Sequence, residues 1–322
     1  MFRTRITELL GVQYPIIAGP MGPGISDAGL VSAVSDAGGL GILPALEYRN
    51  IKDLREEIKK IKSMTDKPFA VNITLVPFYT KISFEEWITA AIEEGVSIIE
   101  TSAHNPEPYM KLLKQAGVKV IHRATRIKDI ETAERAGVDA VTILGVEAGG
   151  LPGMENVTSM VRIPIAKDAV NVPVIAGGGI ADARGFIAAL ALGAEGVLMG
   201  TRFMISKECK IHHKIKEWLL QRKENETMLI QRSVKLASRV IKTDLTERIL
   251  EMEQKGVSPE ELWSILEGKY DYTTGDVSNN IIGVGQVVGL IHDIPSVKEI
   301  IKGIINEARQ IVARLNNITS LK

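Results

Sequence analysis

The sequence predicts an α/β chain folded as a (β/α)8 barrel of the TIM type, with a helical insertion after the eighth strand. Three observations carry this expectation. Short β-rich runs alternate with amphipathic segments from residue 15 to residue 200. The runs are apolar throughout, as strands of a parallel sheet covered by helices on both faces must be. Eight of them in succession favour a closed barrel over an open doubly wound sheet.

The candidate strands, in order, are PIIAG (15–19), GLGIL (39–43), FAVNIT (69–74), SIIETS (97–102), VKVIHR (118–123), DAVTIL (139–144), VPVIAGG (172–178) and GVLMG (196–200). Between them, NIKDLREEIKKIKSM, EEWITAAIEEG, PYMKLLKQAG and IKDIETAERAG place apolar residues at a period near 3.6, which predicts helices. Ala-Gly-Val at 116–118 and 136–138 and Leu-Gly-Ala at 192–194 read as glycine stops that feed the next strand.

This rhythm defines a barrel core over 1–205 and breaks after GTRFMIS. Residues 206–280 read as charged helices (HHKIKEWLLQRKENE and TDLTERILEMEQKGVSPEELWSILEG) with no strand between them, an inserted segment that serves as a lid. Residues 281–322 return through GVGQVVGL to a last helix, PSVKEIIKGIINEARQIVARL, which closes the outer ring.

Composition narrows the partners. The 39 basic and 39 acidic residues cancel, so no global field favours nucleic acid or an anionic membrane, and a small-molecule substrate is expected. No stretch approaches the length of a membrane span, and the N-terminus lacks the unbroken apolar core of a signal peptide. The single cysteine, Cys209, cannot form an internal disulfide, which fits a cytoplasmic setting. No metal-ligand spacing is present, and a homodimer is compatible with the sequence.

In such barrels the chemistry sits at the C-terminal ends of the strands. Those ends are rich in glycine: Gly19-Pro20-Met21-Gly22, then Gly145 with Gly149-Gly150, then Gly177-Gly178-Gly179, then Gly200-Thr201. The turns GGGIADARG and GTRFM follow the last two strands, where backbone N–H groups commonly hold a phosphate, and Thr201 adds a hydroxyl. Neither GPMGPG nor GVGQVVG has the spacing and βαβ context of a dinucleotide fingerprint. Asn72, an amide within an apolar strand, either bonds a cofactor ring edge or ties two strands together.

Taken together, FRTRITELLGVQYPIIAGPM, DAGGLG, FAVNITL, VKVIHR, GVEAGG, VIAGGGIADARGFIAALALGAEGVLMGTRF and GDVSNNIIGVGQVVGLIHDIPSV resemble the nitronate monooxygenase (2-nitropropane dioxygenase) family over nearly the whole chain. That superfamily also contains NADH:quinone reductases and flavin-dependent enoyl-acyl carrier protein reductases. The resemblance implies FMN on a TIM barrel. It implies that Gly19, Pro20 and Met21 lie along the isoalloxazine, that Asn72 meets its polar edge, and that Arg123 stands where the family has a lysine. It further implies that Gly149, Gly150, Gly178, Gly179, Gly200 and Thr201 hold the ribityl phosphate region and that Gln286 passes near the ring. Glu147 is expected in the pocket, bonded to the cofactor or paired with Arg123.

The chain departs from the family at one telling place. The family histidine that handles a proton beside the flavin is matched by Leu151, which neither accepts nor donates one, and a frequent glutamate is matched by Met154. Three readings follow. Nitronates, already deprotonated, still react, giving a nitronate monooxygenase acting with O2. Alternatively, hydride transfer between NAD(P)H and the flavin needs orientation more than a base, giving a quinone or enoyl-thioester reductase. The third is a non-catalytic flavin-binding barrel. His104, after the fourth strand, is the substitute candidate for the lost histidine. His122 is a candidate pocket residue, while Trp218, Trp263, Tyr270 and Tyr272 are candidates to cap the cleft.

Overall fold

The computed structural model describes residues 2–76 and 80–319. Eight parallel strands close into a barrel in the order of the chain. They are β1 (Ile16–Ala18), β2 (Leu40–Pro44), β3 (Phe69–Leu75), β4 (Ile98–Ala103), β5 (Lys119–Ala124), β6 (Ala140–Leu144), β7 (Val174–Gly177) and β8 (Gly196–Met199). β1 pairs with both β2 and β8, so no edge is left open.

A short first helix, α1 (Arg5–Leu10), precedes the barrel. Seven helices connect its strands: α2 (Ala28–Asp36), α3 (Ile51–Met64), α4 (Phe84–Glu93), α5 (Glu107–Gln115), α6 (Ile127–Ala136), α7 (Ser159–Ala169) and α8 (Ala183–Ala191). Their starts and stops have local causes. In α3 the Asn50 side chain accepts from the Asp53 N–H, and Leu54, Ile58 and Ile61 share the buried face. The stops expected at Gly117, Gly137 and Gly193 all have positive φ, at 67°, 96° and 100°.

The barrel interior is stratified. Its N-terminal end is plugged by Ile6 and Leu10 of α1 together with Ile17, Leu40, Ile42, Ala70, Ile98, Ile121, Ala140 and Ile175. Polar side chains enter only above this plug, at the C-terminal strand ends. That gradient fixes where a ligand can be received.

Beyond β8 come α9 (Thr201–Met204), α10 (His213–Leu219), β9 (Thr227–Ile230), β10 (Ser238–Ile241), α11 (Asp244–Gln254) and α12 (Pro259–Leu266). The expectation of a purely helical insertion is corrected here: β9 and β10 form an antiparallel ribbon, with Ser238 opposite Ile230 and Ile241 opposite Thr227. Each strand is four residues long and sits between charged segments, so helical periodicity on both sides hides it. The ribbon's Ile230 and Val240 pack with Leu245, Ile249, Leu262, Leu266 and Ile281 as a separate small core.

The last helix, α13 (Val297–Thr319), packs on α8 and α2 and completes the outer ring. Among the described residues no helix is long and apolar enough to cross a membrane.

Candidate active site

A cleft of about 560 Å3 opens at the C-terminal ends of the strands. Gly19, Pro20, Met21, Asn72, Arg123, Glu147, Gly149, Gly150, Leu151, Gly178, Gly179, Gly200 and Thr201 all line it. The fold thus brings together residues that lie as far apart in the chain as 19 and 201.

One end of the cleft is built of backbone. Gly178 and Gly179 have φ of +88° and +75°, conformations that side chains resist. A Cβ on Gly178 would stand 3.0 Å from both the Ala148 N and the Gly145 O. The N–H groups of Gly178, Gly179, Gly200 and Thr201 have no partner among the described residues. Unsatisfied donors gathered around one space are the chemistry of an anion site. The Thr201 hydroxyl oxygen accepts from the Gly285 N–H at 2.9 Å, leaving its own proton to donate.

The glycine loop after β6 is compressed by its neighbours. A Cβ on Gly149 would come within 2.6 Å of the Gly285 N and the Val284 carbonyl carbon. Gly150 forms a bridge to the inserted ribbon, accepting from the Arg239 N–H at 2.7 Å and donating to the Arg239 O at 3.1 Å. The buried Arg239 adds a bond from its Nε to the Val146 O at 2.8 Å. Insertion, return segment and β6 loop therefore meet backbone to backbone, and this contact gives Gly149 and Gly150 a structural reason of their own.

The opposite end carries charge. On β4, Glu100 is fully buried; its carboxylate accepts from the Asn72 Nδ2 at 2.8 Å and from the Arg123 Nε at 3.2 Å. The barrel register aligns Asn72 with Glu100 and Ser102 with Arg123, so all three project inward. Burial raises the Glu100 pKa, opposed by the Arg123 charge and the Asn72 hydrogen bond. Asn72 also receives the Thr74 hydroxyl at 2.9 Å. It ties β3 to β4 while facing the cleft. A carboxylate inside an apolar strand, SIIETS, was the available sequence signal for Glu100.

Several expected residues fall elsewhere. The side chain of Gln286 does not line the cleft: its N–H donates to the Glu147 O at 3.0 Å, and Gly285 and Val287 face the cavity instead. Glu147 does not pair with Arg123. Both of its oxygens lie 3.0 Å from the Ser159 N–H, where they cap α7, whose Thr158 makes no side-chain cap. His104 is exposed outside the cleft and bonded through Nδ1 to the Leu75 O at 2.6 Å, so it offers no substitute proton carrier.

His122 points out of the barrel, where Nδ1 lies 2.9 Å from the Thr101 Oγ1. Strand alternation sends Ile121 and Arg123 inward and His122 outward, and burial pushes its pKa down to about 4. Trp218 lies under Arg222 instead of capping the cleft. Trp263, Tyr270 and Tyr272 do line the cleft, as Leu151 does; Leu151 and Trp263 are exposed and Tyr272 is buried. Glu47 at the end of a 3-10 turn, Ala45–Glu47, also lines the cleft; nothing in LPALEY distinguishes it in the sequence.

Fold and cleft define a class, a TIM-barrel enzyme with a small-molecule site at its strand ends. The chain matches the family described as nitronate monooxygenase over residues 3–307, and it belongs to that family of oxidoreductases. The solved structure of FabK from Thermotoga maritima superposes with a TM-score of 0.91 at 38% identity, covering 98% of this chain and 99% of that one. A (3aS,4S,5R,7aS)-5-hydroxy-7a-methyl-1-oxo-octahydro-1H-indene-4-carboxyl-CoA dehydrogenase from Rhodococcus jostii is 32% identical over 99% of both chains. A probable nitronate monooxygenase from Staphylococcus saprophyticus is 34% identical over 70% of this chain and 75% of its own length.

Proposed function

We propose that the cleft binds FMN and that the protein is an NAD(P)H-dependent reductase of an unsaturated acyl thioester. The residues present fit the cofactor. Four unpartnered N–H groups and a threonine hydroxyl suit a phosphate, Pro20, Met21 and Leu198 offer an apolar wall to a flat ring, and Asn72 with Arg123 suits its polar edge. When bound, FMN supplies reversible hydride chemistry. Around it the chain's own residues bind and orient: the β7 and β8 turns anchor the anion, Arg123 sets a permanent positive charge, and the apolar lining supplied by the insertion packs against the substrate.

The observation that carries the reading is the lining that the insertion adds to the cleft. Leu151, Trp263, Tyr270 and Tyr272 give the cleft an apolar and aromatic lining, suited to an acyl chain, and three of these four come from the insertion. FabK, an enoyl-acyl carrier protein reductase, and the carboxyl-CoA dehydrogenase both align along essentially the full chain, insertion included. A second reading, nitronate monooxygenase, is favoured by the family match over 3–307.

The test is anaerobic mixing of the purified protein with NADH, NADPH and propionate 3-nitronate in separate runs. Each sample bleached by a pyridine nucleotide is then challenged with crotonyl-CoA or a quinone. Bleaching by a pyridine nucleotide and reoxidation by crotonyl-CoA are expected. Reoxidation by quinone alone moves the acceptor, bleaching by nitronate alone supports the monooxygenase, and a spectrum unmoved by any donor leaves a flavin-binding barrel without catalysis.

A further inference from the structure

Leu151, in the cleft lining, can neither give nor take a proton, yet reduction of an alkene consumes one. Among the ionisable side chains that line the cleft, most are already engaged. Glu147 holds the Ser159 N–H and hydroxyl, Arg123 holds Glu100, and the Tyr272 hydroxyl donates to the Ile281 O at 3.1 Å. The Tyr270 oxygen accepts from the Gln231 Nε2 at 3.2 Å.

Glu47 differs. It faces the cleft from the turn after β2; the residue as a whole is exposed, its carboxyl group makes no hydrogen bond or ion pair among the described residues, and desolvation of that group against the cleft wall raises its pKa. Its placement depends on Gly22. A Cβ on Gly22 would stand 2.0 Å from the Glu47 carboxyl carbon and Oε1, so the glycine is the notch that lets the carboxyl group lie against the Pro20–Pro23 segment. The ionisable groups around it are themselves tied up. Asp27, at the N-cap of α2, pairs with Lys210 at 2.6 Å, and Glu57 of α3 accepts from the Ala28 N–H at 2.7 Å. Tyr48 and Tyr272, the neighbouring phenols, are raised beyond the range in which they titrate near neutrality.

We propose that Glu47 is the acid that protonates the substrate, a role that rests on the reductase reading above. As the alkene π bond breaks, its β carbon takes a hydride from the cofactor, previously reduced by NAD(P)H. The π electrons move to the α carbon, which takes the proton from the Glu47 carboxyl group. Water then reprotonates the carboxylate, so each turnover consumes one NAD(P)H and one proton.

The test uses the FMN-loaded protein and two variants, Glu47→Gln and Gly22→Ala; the second keeps the carboxyl group but drives it out of its notch. Crotonyl-CoA is the probe, and reduction by NAD(P)H is followed separately from reoxidation. Reoxidation is expected to fall by about 100-fold or more in Glu47→Gln, the scale of general acid catalysis, and in the same direction in Gly22→Ala. In the wild type its rate falls as pH rises through the Glu47 pKa, because the protonated form is the active one; this limb is absent from Glu47→Gln. The infrared carbonyl stretch of a protonated carboxylic acid in the wild type disappears in the same variant.

Reoxidation of Glu47→Gln at the wild-type rate, with the pH limb intact, overturns the assignment while leaving the reductase standing. A wild type that crotonyl-CoA does not reoxidise at any pH rejects the reductase reading itself, and the assignment with it.

Discussion

Glu100→Ala tests whether the buried carboxylate bonded to Asn72 and Arg123 of the cleft lining is held by those partners. The substitution leaves the Arg123 guanidinium without its counter-charge at 3.2 Å and the Asn72 amide without its acceptor at 2.8 Å. Removing one member of a buried pair costs about 3–5 kcal/mol. The lower end applies, because the Arg123 side chain is 18% exposed and reaches water in the cleft. With an unfolding entropy of about 2.1 cal/mol/K per residue and 322 residues, a loss of about 3 kcal/mol lowers the melting temperature by about 4 °C. Calorimetry of the cofactor-free protein at neutral pH measures this directly. Glu100→Gln, which retains one acceptor, should fall between the two, and Glu100→Ala combined with Arg123→Met should recover part of the loss by removing the stranded charge. A Glu100→Ala melting temperature within 1 °C of the wild type (roughly 0.7 kcal/mol on the same scale) refutes the reasoning. It would mean that desolvation of the pair cancels its attraction.

Two further predictions concern pH and the anion site. The His122 pKa is about 4 in the fold against an ordinary 6.5, so between those values the unfolded chain binds a proton that the native chain lacks. Stability therefore falls as pH drops from 6.5 toward 4, by up to about 1.4 kcal/mol per pH unit from this group; His122→Gln should flatten the melting curve's pH dependence there, and equal slopes would reject the assignment. Gly178→Ala and Gly178→Asp share the strain of a side chain at φ +88°, about 1–2 kcal/mol, so both should lose similar stability. Only the aspartate sets a carboxylate against the proposed phosphate, and it alone should be isolated colourless. A fully yellow Gly178→Asp protein would sink the cofactor placement.

Much of the architecture was legible because barrel strands and their helices are local objects. Period 3.6 in IKDLREEIKKIKSM and the glycine stops at 117, 137 and 193 follow from backbone geometry that a few consecutive residues impose. The β7 and β8 turns were legible for the same reason, since GGG and GT declare a backbone able to aim N–H groups. The ribbon of β9 and β10 was not, because it is stabilised by packing on α11 and α12 and by the bridge from Gly150 to Arg239. No four-residue stretch of it announces a strand by itself.

The candidate site divides along the same line. The sequence by itself determined the barrel, the glycine-rich turns after β7 and β8 and the places of Asn72 on β3 and Arg123 on β5, because each depends on residues adjacent in the chain. Only the tertiary structure decided how those groups are used. Parity along β5 turned His122 outward and Arg123 inward, register across β3, β4 and β5 joined Asn72, Glu100 and Arg123, and the contact of Glu47 with Gly22 gave the cleft an unengaged carboxyl group. Those outcomes rest on pairings between distant segments, whose geometry is set by closing the barrel and not by any one stretch of it.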